Sequence, residues 1–211
     1  MGKTSVIFWE VLRKLAHMLG LVLLVAYSLL AHYYSTKTAF SFLSGILLIW
    51  FIFEYIRVEH DFMLMRFLRR LFRSHEKKAF SGSTFYIIST IICFSLFDYW
   101  IAVVALLMMT FGDIFSAVIG RFFGITKIRK QKTIIGTLAG FAANTAAGMI
   151  VLPQFYYLIL PMALCASVVE MLTDKLEDNL TVPIFAGFLG QIIVYYFSLD
   201  LPQVDLISLW S

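Results

Sequence analysis

Apolar residues run along this chain in long blocks separated by short polar segments, not as the one-sided stripes of soluble helices. A hydrocarbon core about 30 Å thick needs about 20 apolar residues per helix. The blocks predict seven such spans, at about 15–34, 38–57, 82–97, 99–119, 134–152, 155–173 and 181–199. Backbone groups in lipid must satisfy one another, so helices are expected, and the short alternating segments of a barrel are not visible. The fold class that follows is all-α: a polytopic transmembrane helix bundle of about seven spans, forming a single integral membrane domain over 1–211. The longest polar segment, Arg57 to Ser81, mixes Phe62, Met63, Met65, Phe67, Leu68, Leu71 and Phe72 with Arg66, Arg69, Arg70 and Arg73. It reads equally well as an amphipathic surface helix over about 58–80, with its arginines in the headgroups, or as an extension of the second span.

Composition strengthens the membrane reading. The 211 residues are 61% hydrophobic and 14% charged, about half the charged fraction of a soluble domain. Charge then sets orientation. With the N-terminus inside, Lys37 alone among the 17 Lys and Arg residues lies on the far side. Lys3, Arg13 and Lys14 precede the first span, seven basic residues lie between Arg57 and Lys78, five between Arg121 and Lys132, and Lys175 follows the sixth. The positive-inside rule therefore predicts a cytoplasmic N-terminus and a C-terminus outside. The net charge of +4 is explained by basic loops facing anionic lipid headgroups, without nucleic acid. Cys93 and Cys165 fall inside apolar blocks and read as packed thiols. The N-terminal stretch shows no signal-peptide cleavage site and is long enough to stay as a membrane helix. No internal repeat of the transporter kind is present.

Three polar segments carry candidate chemistry. In the fourth span, Asp113, Ser116, Ala117, Gly120 and Arg121 share a helical face. An ionised carboxylate beside an apolar block needs a partner and a purpose, while the small residues admit another backbone or a ligand. A packing stripe with one structural Asp–Arg pair would account for the same spacing. The segment that follows holds Lys127, Arg129, Lys130 and Lys132 without an acid, then Thr133 and Gly136 where the next helix begins. Cations beside a glycine-bearing helix N-terminus suit a polyphosphate, although an ordinary positive-inside loop has the same charge. After the sixth span, Glu170, Asp174, Glu177 and Asp178 recur at helical spacing, with Asn179 and Pro183 beyond. Carboxylates grouped opposite a basic loop are the ligand set that Mg²⁺ prefers when it bridges phosphates, and a solvated acidic loop is the plain alternative.

Two further sets stand at cytoplasmic ends. Glu10, Arg13, Lys14 and His17 share a face leading into the first span, and Glu54 and Arg57 are three residues apart at the end of the second. An intrahelical ion pair is the default for Glu54 and Arg57. His17 could act as a base or donor. His32, His60 and His75 do not cluster, which argues against zinc.

Together these segments resemble the CTP-dependent lipid-alcohol kinase family, which includes dolichol kinase, phytol kinase and the yeast-type diacylglycerol kinase. The resemblance rests on Glu10-x-x-Arg13-Lys14-x-x-His17, and on Gly112-Asp113 with Ala117, Gly120-Arg121 and Gly124. Further along it rests on Lys132-Thr133-x-x-Gly136-Thr137 and on Asp178-Asn179 with Pro183. One position departs: the family usually has glutamate where this chain has Ile135. The resemblance implies transfer of the CTP γ-phosphate to the hydroxyl of a polyprenol, phytol or geranylgeraniol, or diacylglycerol. Asp113, Asp178 and Asp174 would then serve Mg²⁺ and the triphosphate, and a carboxylate or His17 would orient the hydroxyl. Arg121, Lys127, Lys130, Lys132, Thr133, Gly120, Gly136 and Asn179 would bind the nucleotide, with Glu10, Arg13, Glu54 and Arg57 as substrate-binding or structural polar groups. Self-association into a homo-oligomer is compatible with such a bundle. A cytidylyltransferase that forms a CDP-lipid, and a non-catalytic transporter or scaffold, are the alternatives.

Overall fold

A computed structural model of the chain describes residues 19–59, 80–129, 132–173 and 177–202. In chain order its elements are α1 (Leu19–Tyr33), α2 (Thr36–Glu59), α3 (Gly82–Leu96) and α4 (Tyr99–Phe123). There follow the short strands β1 (Lys127–Arg129) and β2 (Lys132–Thr133), then α5 (Ile134–Val151), α6 (Tyr156–Leu172) and α7 (Asp178–Phe197). The architecture is an all-α membrane helix bundle, and the chain is an integral membrane protein. Four helices, α2, α4, α5 and α7, are long and apolar enough to cross a membrane, and α1, α3 and α6 are shorter apolar helices. The segment over which a surface helix is expected lies almost wholly outside the described residues.

The chain divides into two compact units, with the division inside α3 between Ile88 and Ser89. In the first unit, α1 and α2 form a helical hairpin. The Ser35 hydroxyl accepts the Thr38 N–H at 3.0 Å, capping the start of α2. Tyr27 meets Phe40 edge-on, with ring centroids 5.4 Å apart. The Glu54–Arg57 pair that the spacing predicts is formed, and it is more than a surface contact. Glu54 is fully buried and Arg57 is 3% exposed. Arg57 donates to Glu54 through Nε at 3.1 Å and also through Nη2. Ser81 Oγ donates to the other carboxylate oxygen at 2.5 Å, and Trp50 Nε1 donates to Thr84 Oγ1 at 3.0 Å. The pair thus joins the end of α2 to the start of α3.

In the second unit α4 is the central helix, packed by α5, α6 and α7. Of its apolar window 61% is buried, against 28% for α5 and 39% for α7. Lipid tails are as apolar as leucine, so close van der Waals packing has to hold such helices together. The closest approach runs along α4 and α5 in antiparallel register, with facing pairs Gly120/Gly136, Ser116/Gly140, Gly112/Asn144 and Met108/Gly148. A Cβ on Gly136 would come within 3.1 Å of the Gly120 Cα, and one on Gly140 within 3.2 Å of the Ser116 Cβ. A Cβ on Gly112 would lie 3.0 Å from the Asn144 Cγ, and one on Gly148 3.0 Å from the Met108 Cε. Small residues recur every fourth position on both helices, so one register brings them all together. The far end of the unit is closed by Asp98 and Gln191. The Asp98 N–H donates to Gln191 Oε1 at 2.8 Å, and Gln191 Nε2 donates to Asp98 Oδ2 at 2.9 Å.

Two details depart from the sequence expectations. The basic segment after α4 is not a plain loop, because Lys127 pairs with Thr133 and Arg129 with Lys132 in a two-stranded antiparallel ladder. The acids Glu170, Glu177 and Asp178 do not share one helical face. Helix α6 stops at Leu172, with Thr173 as its C-cap, and α7 begins at Asp178.

The first unit yields a stability prediction. Glu54→Leu leaves a buried guanidinium without its carboxylate and should lower unfolding free energy by about 3–5 kcal/mol, whereas Glu54→Leu with Arg57→Leu should recover most of that loss. Thermal unfolding of the detergent-solubilised variants measures both. Equal melting temperatures for the single and double variants would remove the ion pair from this account.

A candidate active site at one end of the four-helix unit

The C-terminal ends of α4 and α6 and the N-terminal ends of α5 and α7 lie together, and the β1–β2 hairpin joins α4 to α5 there. Local chemistry explains how the hairpin meets the bundle. Helix α4 ends at Gly124, whose N–H donates to the Gly120 carbonyl at 3.0 Å. Thr133 is the N-cap of α5 and accepts the Gly136 N–H at 3.1 Å. Ile134 N–H donates to the Thr126 carbonyl at 3.2 Å, returning the second strand to the start of the first. A Cβ on Gly120 would lie 2.9 Å from Thr133 Oγ1. Gly120, Thr133 and Gly136 therefore form one packed joint. The Gly136 N–H, expected to face a phosphate, is occupied by the cap.

The acids are linked across helices through two hubs. Ser116 Oγ donates to Glu170 Oε1 and lies 3.3 Å from the Asp113 carbonyl oxygen one turn earlier. Gly140 faces this contact: a Cβ there would stand 3.2 Å from the Ser116 Cβ and, at ordinary contact distance, 3.7 Å from Glu170 Oε2. The second hub is Lys132. Its ammonium donates to the main-chain carbonyls of Glu170 and, at 2.8 Å, of Thr173, and lies 4.0 Å from Asp178 Oδ2. A cation on the last carbonyls of α6 also complements that helix's negative end. Asp113 is 8% exposed and Asn179 5%, while Glu170 and Asp178 are half-buried. Asp113, Glu170 and Asp178 come from three different helices; Ser116 reaches the Glu170 carboxylate, and Lys132 stands between the Glu170 main-chain carbonyl and Asp178.

One layer deeper, Asn144 is fully buried and its Oδ1 has no hydrogen-bond partner among the described residues. Its Nδ2 donates to Ser167 Oγ at 3.0 Å, and Ser167 Oγ donates to the Ala163 carbonyl at 2.9 Å. The amide fills the place that a Cβ on Gly112 would occupy, with Oδ1 nearest. An unpaired buried carbonyl costs roughly 1–3 kcal/mol. Beyond this layer the seam is apolar, with Met108, Gly148 and Ile159 in contact and Val104 and Leu152 buried.

Of the residues singled out in the sequence, Asp113, Gly120, Lys132, Thr133, Gly136, Asp178 and Asn179 all belong to this end of the second unit. Arg121 and Lys127 are exposed there. Glu54 and Arg57 belong to the first unit. Glu10, Arg13, His17, Lys130 and Asp174 lie outside the described residues. Glu170 had counted only as one acid of a cluster, and Asn144 and Ser167 had not been singled out at all. A lone Asn in an Ala- and Gly-rich block has no sequence signal, because its meaning depends on which residue faces it.

Carboxylate oxygens are donors that Mg²⁺ takes. This hard cation takes one or two carboxylates and completes its shell with water and substrate phosphates. Asp113, Glu170 and Asp178 offer oxygen donors of that kind. Among the described residues no three His, Cys, Asp or Glu side chains converge into an all-protein cage.

Comparison with known proteins gives the chain relatives of one kind. It is 32% identical to a wheat (Triticum aestivum) protein named probable phytol kinase, chloroplastic, over 49% of this chain and 41% of that one. It is 23% identical to CTP-dependent diacylglycerol kinase 1 of Saccharomyces cerevisiae, over 71% of this chain and 62% of the relative. It is 25% identical to farnesol kinase, chloroplastic, of Arabidopsis thaliana, over 89% of this chain and 68% of the relative. The chain thus spans from about two fifths to about two thirds of the length of these curated relatives. No family model matches it, and no solved structure does. These relatives support assignment of the chain to the CTP-dependent lipid-alcohol kinase family, at modest identity.

Proposed function

We propose that this membrane protein is a lipid kinase that transfers the γ-phosphate of CTP to the hydroxyl of a long-chain lipid alcohol, with its active site on the cytoplasmic face. The observation that carries this reading is that Ser116, one turn beyond Asp113, bonds the Glu170 carboxylate while Lys132 of the basic hairpin lies against the Glu170 carbonyl and Asp178, all at one end of the bundle. Phosphoryl transfer asks mainly for positioning and charge neutralisation, and that arrangement serves both. A lipid alcohol can reach the α4 face laterally from the bilayer while the nucleotide arrives from the aqueous side.

In the reaction the lipid oxygen forms a bond to the γ-phosphorus, the bond to the β-phosphate oxygen breaks, CDP leaves, and the hydroxyl proton passes to a carboxylate. Asp113, with Asp178 and Asp174, would hold Mg²⁺, which when bound neutralises and orients the triphosphate. Arg121, Lys127 and Lys130 would neutralise phosphate charge from the hairpin. Lys132 would do so only by exchanging a carbonyl of α6 for a phosphate oxygen, since its three donors already face acceptors. Thr133, Gly120 and Gly136 support the nucleotide by fixing the hairpin to the bundle, and Asn179 stands behind Asp178 in the first turn of α7. His17 is the alternative to a carboxylate for orienting the hydroxyl. The missing glutamate at Ile135 is offset on this reading by Glu170, which enters the same seam from α6. The apolar layers at Met108, Gly148, Val104 and Leu152 interrupt any polar path through the unit and favour a one-sided site over a transport route.

The decisive assay incubates purified protein with Mg²⁺, a panel of polyprenol, phytol, geranylgeraniol, farnesol and diacylglycerol, and CTP labelled at either the α- or the γ-phosphate. Label from the γ-position should enter the lipid and label from the α-position should not. Incorporation of α-label would make the chain a cytidylyltransferase, and no incorporation of either would overturn the kinase reading.

Asp113→Asn should reduce transfer by about 10²-fold or more, while Asp98→Asn, at the opposite end, should leave it near wild type. Chelation of divalent cations should abolish transfer, and added Mg²⁺ should restore it. Activity that survives chelation would remove the metal from the scheme.

A further inference from the structure

We propose that Asn144 is a positioning residue for Asp113: a buried amide on α5 that clamps the α4 backbone at Gly112 and so holds the next residue's carboxylate at its working place. This inference rests on the role assigned to Asp113 above. Asn144 is fully buried among apolar spans, where an amide is a costly choice. Only one half of the amide is repaid by a bond. Nδ2 is held by Ser167, which is held in turn by the Ala163 carbonyl, so the side chain is tethered to α6 and its direction is fixed. The other half, Oδ1, has no partner among the described residues and is pressed against Gly112. Rotating the amide by a half-turn would exchange its ends but still leave one polar atom against Gly112. The feature kept is therefore the flat, tethered shape.

Gly112 completes the clamp. Any side chain there would overlap the Asn144 amide, so glycine and asparagine specify each other across the seam. Asp113 follows directly on the chain, and Ser116, one turn on, carries the bond to Glu170. Helix α4 is thereby fixed on both sides of the carboxylate: from α5 and α6 at Gly112, and from α6 at Ser116. A shift of about 1 Å in a reacting group is enough to lower a rate by about 10²-fold. A rigid relay from Ala163 through Ser167 and Asn144 to Gly112 guards against such a shift.

The test compares Asn144→Leu and Ser167→Ala with the wild type for melting temperature in detergent, kcat, and KM for both CTP and the lipid alcohol. Asn144→Leu removes the unpaired amide but sets a larger, branched side chain against Gly112, so its melting temperature is read beside its activity. It should lower kcat at least tenfold with both KM values within about twofold of wild type. Ser167→Ala leaves the amide in place without its tether and should lower kcat by a smaller factor, again at constant KM. If Asn144→Leu does not fold, the split between kcat and KM in Ser167→Ala decides the matter alone. Wild-type kcat in both variants would overturn the proposal, as would losses of activity that track the loss of folded protein. The role of Asp113 itself fails separately, if Asp113→Asn retains transfer.

Discussion

The second unit depends on how closely two helix backbones approach in a medium that offers no hydrophobic reward for the approach. Between α4 and α5 that distance is set by absent side chains, with glycine on at least one side at each of four successive levels. Everything polar in the unit follows from this closeness. Thr133 can cap α5 and still touch Gly120 only because no Cβ intervenes. Ser116 can lie close against α5 because Gly140 has no Cβ to press on it. An amide can lie against α4 because residue 112 has no side chain. A wider seam would admit lipid or larger side chains, and the three acids would stand on separate helices with nothing between them.

Membrane burial also changes what the individual polar contacts mean. A carboxylate, an ammonium or an amide at these depths must find its partner within the protein. Lys132 satisfies that demand by capping α6, whose last carbonyls lack helical donors of their own. The same contact brings the hairpin to the α6–α7 junction, so one ammonium meets both a helix end and an acid. In the first unit Glu54 and Arg57 answer the demand with each other and with Ser81. The two solutions differ in kind: the first joins a loop to a bundle end, and the second joins one helix to the next.

Much of this was legible in the sequence. The hydrophobic blocks located every described helix to within a few residues, because a bilayer imposes a length as well as a polarity. The third block, read over 82–97, is helix Gly82–Leu96. The pairing of Glu54 with Arg57 followed from their spacing, and the shared face of Asp113, Ser116 and Gly120 followed from helical periodicity. What stayed hidden depends on register between helices. No spacing along the chain reveals that residue 112 faces residue 144, or that Ser116 on one helix meets Glu170 on another. The basic hairpin was hidden for a related reason, because its two- and three-residue strands are too short to show alternation and are held by the joint they make with α4 and α5.

The length of α4 carries one further consequence. Its 25 residues extend about 37 Å, more than the roughly 30 Å of a hydrocarbon core. Asp113 and Arg121 stand eight residues apart on it, a rise of about 12 Å. The headgroup layer on one side of a bilayer is about 5–7 Å thick. On the proposed reading α4 acts as a ruler that reaches from lipid to water on a single rigid rod. On that reading the phosphate charge neutralised at Arg121 and the metal held at Asp113 stand at different depths, and the triphosphate has to span the interval between them. The reaction is then a problem of depth as much as of chemistry, and the stiffness of one helix sets the distance to be spanned.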